Sequence, residues 1–163
     1  MRLHLKSAIA ASAFLLIAGI GPFAAAPAFA GIKGSTAQIN LDEHGVALGG
    51  YDPIAYFESG KPTPGVQGLS ATYGGARYLF ATAAHRRRFI ANPRKYVPEF
   101  GGFCATGTAF GEKVDVDPNT GKVVGGKLYL NNGPHALEIF NKDPAGIIGK
   151  AQGNWPTVKD KAL

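Results

Sequence analysis

Sulfur is scarce in this sequence: its 163 residues contain one cysteine, Cys104, and one methionine, Met1. A single thiol excludes an intramolecular disulfide framework and any self-contained zinc module built on two or more thiolates. There is no Cys-x-x-Cys for disulfide exchange, no His-Glu-x-x-His and no phosphate-binding glycine loop. Charge is sparse as well, at 17% of residues, with 17 Lys and Arg against 11 Asp and Glu for a formal +6. The 23 glycines and 11 prolines exceed average usage, but they are dispersed and carry no collagen period. The length suits one domain, which holds roughly 100–200 residues.

What is present begins with the first thirty residues. Arg2, His4 and Lys6 precede an uncharged apolar run from Ala8 to Phe23, and Ala28-Phe29-Ala30 fits the small-residue cleavage pattern. A permanent membrane anchor needs about 20 apolar residues. This run is shorter and is interrupted by Gly19, Gly21 and Pro22. There is no paired arginine for twin-arginine export and no cysteine near the cut for lipid attachment. The expectation is a Sec-type signal peptide over 1–30, cleavage after Ala30, a periplasmic or secreted product and no transmembrane anchor after cleavage. Loss of Arg2 and Lys6 lowers the formal charge from +6 to +4.

Export argues against nucleic acid as a partner. The dense run Arg86-Arg87-Arg88, with Arg94 and Lys95 nearby, reads as a solvated helix face. In an oxidising compartment a lone cysteine is unusual, which makes Cys104 the residue to explain.

Along the mature chain, residues 31–44 read as a flexible leader. Asp52-Pro53, Asn92-Pro93 and Asp143-Pro144 each place an N-cap residue before a proline suited to the first helical turn. Gly74-Gly75 and Gly125-Gly126 mark two hairpins, with Tyr78 and Phe80 sharing one face of the first. Thr82 starts a helix through Asn92 in which Phe89 and Ile90 seek the core. Val114 and Val116 suggest a short strand, 117–121 a turn, and Pro134–Asn141 and Pro144–Gly153 two terminal helices. Together these predict an α+β fold: a single domain in which a small antiparallel sheet of hairpins packs with several short helices. The domain spans 45–156 and a tail follows over 157–163.

The motifs Gly50-Tyr51-Asp52-Pro53-Ile54-Ala55-Tyr56-Phe57, Tyr78-Leu79-Phe80, Phe89 with Asn92-Pro93 and Tyr96, Gly101-Gly102-Phe103-Cys104-Ala105, Gly126 to Asn131 and Asn154-Trp155-Pro156 occur in that order. They resemble the YHS domain, and within it the exported bacterial branch. The resemblance implies a metal-binding or metal-sensing role. Metal-handling relatives often carry two cysteines three residues apart, where this chain has Ala81 and His85. One thiol ligand is absent there and the other is replaced by an imidazole. The branch also usually has an aromatic residue at the position of Gly121.

Cys104 is the first candidate ligand, since a thiolate is both a soft ligand and a nucleophile. Gly101, Gly102 and Gly107 allow close backbone approach, and a helix starting after them would favour the thiolate. The alternative is a buried, inert cysteine. His85, in the first turn of the Thr82 helix, is the second candidate, against a reading as a polar surface residue. His44 and His135 are expected to be solvated. One cysteine and three histidines in the mature chain favour a low-coordinate Cu(I) site on Cys104 and His85, or one shared across a dimer, over a closed zinc site. Copper comes first and zinc second. The main functional expectation is therefore a non-catalytic metal-binding module. A competing one is a thiol-dependent or redox-responsive protein using Cys104, with a histidine as base and Asp52 as orienting group, although Asp52 is better explained as the cap before Pro53. A third is a small-ligand or partner-binding module, its pocket lined by some of the many aromatics, with a structural cysteine.

Overall fold

The computed structural model describes residues 31–163, so the expected signal peptide lies outside the described residues. Asp52 accepts a hydrogen bond from the Ile54 amide and precedes a proline, and helix α1 (Pro53–Glu58) begins there. Strands β1 (Val66–Tyr73) and β2 (Ala76–Phe80) form an antiparallel hairpin over Gly74 and Gly75, whose φ values of 59° and 83° suit glycine. Ala76, Tyr78 and Phe80 alternate inward along β2 and are buried. Helix α2 (Ala83–Ala91) is capped by the Thr82 hydroxyl, which accepts from the His85 amide. Phe89 of α2 is buried, whereas Ile90 is 52% exposed, contrary to expectation. One residue is about 100° of helix rotation, enough to carry Ile90 off the core face.

The short helix α3 (Pro93–Tyr96) leads into a 3₁₀ turn at Glu99–Gly102 and helix α4 (Ala105–Ala109). Phe100 and Gly101 both have positive φ, 53° and 61°. A Cβ on Gly101 would lie 1.9 Å from the Gln38 carbonyl oxygen, so only glycine fits.

The next stretch differs from the sequence expectation. Val114 and Val116 are not in a strand, and the expected turn at 117–121 is the start of strand β3 (Asp117–Val124), paired antiparallel with β4 (Lys127–Asn131). Pairing register breaks between Asp117 and Lys122, and this irregularity accommodates Pro118, which has no amide to donate. Helix α5 (Gly133–Lys142) and helix α6 (Pro144–Val158) follow; α6 runs past Gly153 and through Pro156.

The described strands thus make two separate two-stranded sheets, and together with six α-helices they form a single α+β domain. Two hydrophobic clusters meet at β4. Leu128 and Leu130 belong to the first, with Ile54, Tyr56, Tyr78, Phe80 and Phe89. Tyr129 points the other way, into the second, with Phe100, Phe140 and Ile147. The segment 31–44 makes specific bonds to the rest of the domain. Asn40 is buried and its amide donates to the Gly101 carbonyl, while Gly34 and Ser35 pair with the backbone of Leu163. Lys113 donates to the carbonyls of Ala37, Lys159 and Lys161, so leader and tail share one anchor. Among the described residues no helix is long and apolar enough to cross a membrane.

Candidate functional sites

Cys104 occupies the N-cap of α4, where serine or aspartate is usual. Its Sγ accepts hydrogen bonds from the Gly107 and Asn132 amides, each at 3.2 Å. A parallel bridge to Leu130 holds the residue against β4, and it is 2% exposed. Burial pushes the thiol pKa up; hydrogen bonds from the amides of Gly107, Asn132 and Thr106 oppose this in part. A helix does begin directly after Cys104, as a thiolate would favour, but desolvation outweighs it. The geometry makes this sulfur an inward-facing cap.

His85 is differently placed. Its Nδ1 lies 2.6 Å from Asp52 Oδ2, and its Nε2 lies 3.2 Å from Glu58 Oε2. Asp52 is fully buried, and its carboxylate also accepts from the Ile54 and Ala81 amides. Glu58, at the other end of α1, is ion-paired with Arg88 of α2. Buried Asp52 thus binds α1, the end of β2 and the first turn of α2 together, and it orients the imidazole so that Nε2 faces the more exposed Glu58. The His85 side chain is 19% exposed.

Cys104 and His85 sit on different elements and share no hydrogen-bond partner. The two residues joined to the His85 imidazole are Asp52, weighed from sequence as a cap and an orienting group, and Glu58, which sequence reasoning missed. Nothing in the spacing links Glu58 to His85; only the packing of α1 on α2 does. Among the described residues no hydroxyl or thiol hydrogen-bonds to the His85 imidazole, so a nucleophile–base pair is not assembled there. Nor do three or more His, Cys, Asp or Glu side chains among the described residues form a group able to hold a metal ion. His44 and His135 are exposed.

The aromatics mostly fill the core, with Tyr73, Tyr78 and Phe80 ringing Phe89 at centroid distances of 4.9–6.4 Å. A half-open apolar hollow of about 130 Å³ remains between the leader, the first hairpin and the segment after α3, lined by Ile39, Tyr73, Tyr78, Val97 and Pro98.

Searches against protein-family models, curated proteins and solved structures each returned no match for this chain.

Proposed function

We propose that this protein is an exported, non-catalytic metal-binding module whose outward ligand atom is His85 Nε2. The observation that carries the reading is the Asp52–His85–Glu58 arrangement. A metal-ligating histidine typically gives its other ring N–H to a carboxylate, which fixes the tautomer and raises ligand basicity. Asp52 is that carboxylate, 2.6 Å from Nδ1. Two donors bonded to one ion at about 2.0–2.1 Å lie about 3.3 Å apart in a tetrahedral arrangement and about 2.9 Å apart in a square one. The separation of His85 Nε2 and Glu58 Oε2, 3.2 Å, falls in this range.

Two protein donors make a weak, exchangeable site whose other positions water would fill, and the arginines of α2 weaken it further. The donor set also alters the choice of ion. Without the thiolate the argument for Cu(I) lapses, and an imidazole–carboxylate pair suits Cu(II) first and Zn(II) second. The resemblance to the YHS domain supports a metal role, with His85 at the position of a relative's cysteine. The first thirty residues support export.

The test is calorimetric titration of the metal-free protein with Cu(II) and Zn(II), alongside circular dichroism to confirm folding. His85→Ala should abolish binding, Glu58→Gln should weaken it, and Asp52→Asn should weaken it about 10- to 100-fold. Cys104→Ser should leave it unchanged. Binding retained in His85→Ala, or lost in Cys104→Ser, overturns the assignment. A wild type that binds neither ion leaves the small-ligand reading, favoured by the apolar hollow, whose volume is close to that of cavities that take one benzene-sized ring.

A further inference from the structure

The leader contains a buried polar atom that nothing in its surroundings satisfies. Asn40 is 3% exposed, and its Nδ2 donates to Asp115 Oδ1 at 2.8 Å and to the Gly102 carbonyl at 3.3 Å. These two acceptors fix the orientation of the amide. Its Oδ1 is then left buried with no hydrogen-bond partner among the described residues. Such a group requires an explanation, because leaving it unmade costs the full desolvation of a polar atom.

The orphan oxygen faces Gly31. A Cβ built on Gly31 would lie 2.6 Å from Asn40 Oδ1, 2.6 Å from Leu163 Cδ2 and 3.4 Å from Asp115 Cγ. A side chain there would have to push aside Asn40 Oδ1 and the end of Leu163, so the niche favours glycine. The Gly31 nitrogen donates to Asp115 Oδ2. Asp115 Oδ1 is engaged separately, by Asn40 and by the Val116 amide. A carboxylate on the backbone nitrogen, an unpartnered carbonyl oxygen and a tight fit around the α-carbon therefore meet at Gly31. Among nearby cations, Lys113 is occupied by the carbonyls of Ala37, Lys159 and Lys161.

We infer that this niche is the seat of the mature amino terminus: cleavage after Ala30 converts the Gly31 amide into an ammonium that Asp115 and Asn40 hold. The inference rests on the cleavage reading and is independent of the metal proposal. In the precursor Gly31 is an amide with one N–H, which Asp115 takes. Hydrolysis of the Ala30–Gly31 bond adds water across it, leaving a carboxylate on Ala30 and an amine on Gly31 that is protonated at neutral pH. An ammonium has three donors and a positive charge. One N–H keeps the Asp115 bond, now charge-assisted, and another serves Asn40 Oδ1. Removal of the signal segment thereby tightens the anchor between leader and tail.

The precursor is expressed with export and the product's first residue is read by intact mass. Its melting temperature is compared with that of a precursor carrying Ser-Glu inserted after Ala30, whose product keeps Gly31 as an amide. Asp115→Asn is made in both backgrounds. The inserted chain should melt lower by about 3 °C, and Asp115→Asn should remove the difference. A product that starts elsewhere than Gly31 overturns the cleavage reading and the inference with it. A product starting at Gly31 whose melting is unaffected by the insertion, or a difference that survives in Asp115→Asn, overturns the niche alone.

Discussion

Cys104 shows how one residue type serves opposite ends. In sequence it is a lone thiol, flanked by glycines and followed by a helix, the description of a reactive cysteine. In the fold its sulfur is a capping atom, 2% exposed, that accepts two amides. Its reactivity follows from that burial. Alkylation of the native protein at pH 8 should be slow and become fast only in denaturant, as measured by thiol-reagent kinetics across a urea series. A rapid native reaction would return Cys104 to the list of reactive groups. Cys104→Ala removes both cap and buried volume and should cost about 1–2 kcal/mol, the scale of a lost N-cap, by urea melts.

At the scale of elements, the fit of β3 over α1 determines what Gly121 does. A Cβ there would lie 2.5 Å from Tyr56 Cε1, 2.8 Å from Tyr56 Cδ1 and 3.1 Å from Leu130 Cδ2. The Tyr56 ring is tethered, because its hydroxyl donates to the Pro118 carbonyl at 2.6 Å. Gly121→Ala should therefore destabilise by about 1–3 kcal/mol through overpacking, measurable by denaturant melts. A neutral result would mean that Tyr56 yields. Hairpin turns and proline-led helix starts were legible because glycine and proline act through their own backbone. Strand β3 was not, because Asp117-Pro118-Asn119 has turn composition and becomes strand only by pairing with β4.

For the whole molecule, burial of ionisable groups makes alkaline pH the destabilising direction. Burial pushes Tyr78 up to about 12, and it raises Tyr56 and the Cys104 thiol as well. In the unfolded chain these groups ionise near their ordinary values of 10.0 and 9.0. Above those values the unfolded state holds fewer protons than the native one, so stability falls as pH rises. The contribution is complete below about pH 8 and is lost progressively as pH climbs toward 12. Urea midpoints at pH 7, 9 and 10.5 should decline in that order, and Tyr56→Phe should flatten the decline. A midpoint that holds steady or rises would show that other groups dominate.

The amino-acid sequence by itself determined the α+β class, the proline-led helices, the glycine turns and the alternation that buries Tyr78 and Phe80. Each depends on interactions within a few residues. Tertiary structure alone decided that the sulfur of Cys104 points inward, that Glu58 meets His85, that Gly121 lies on Tyr56 and that Asn40 opens toward Gly31. Glu58 and His85, like Gly121 and Tyr56, are far apart in the chain, and contact between them exists only once α1, α2 and β3 have packed. A local pattern can name a candidate, but its exposure and its partners are properties of the packed whole.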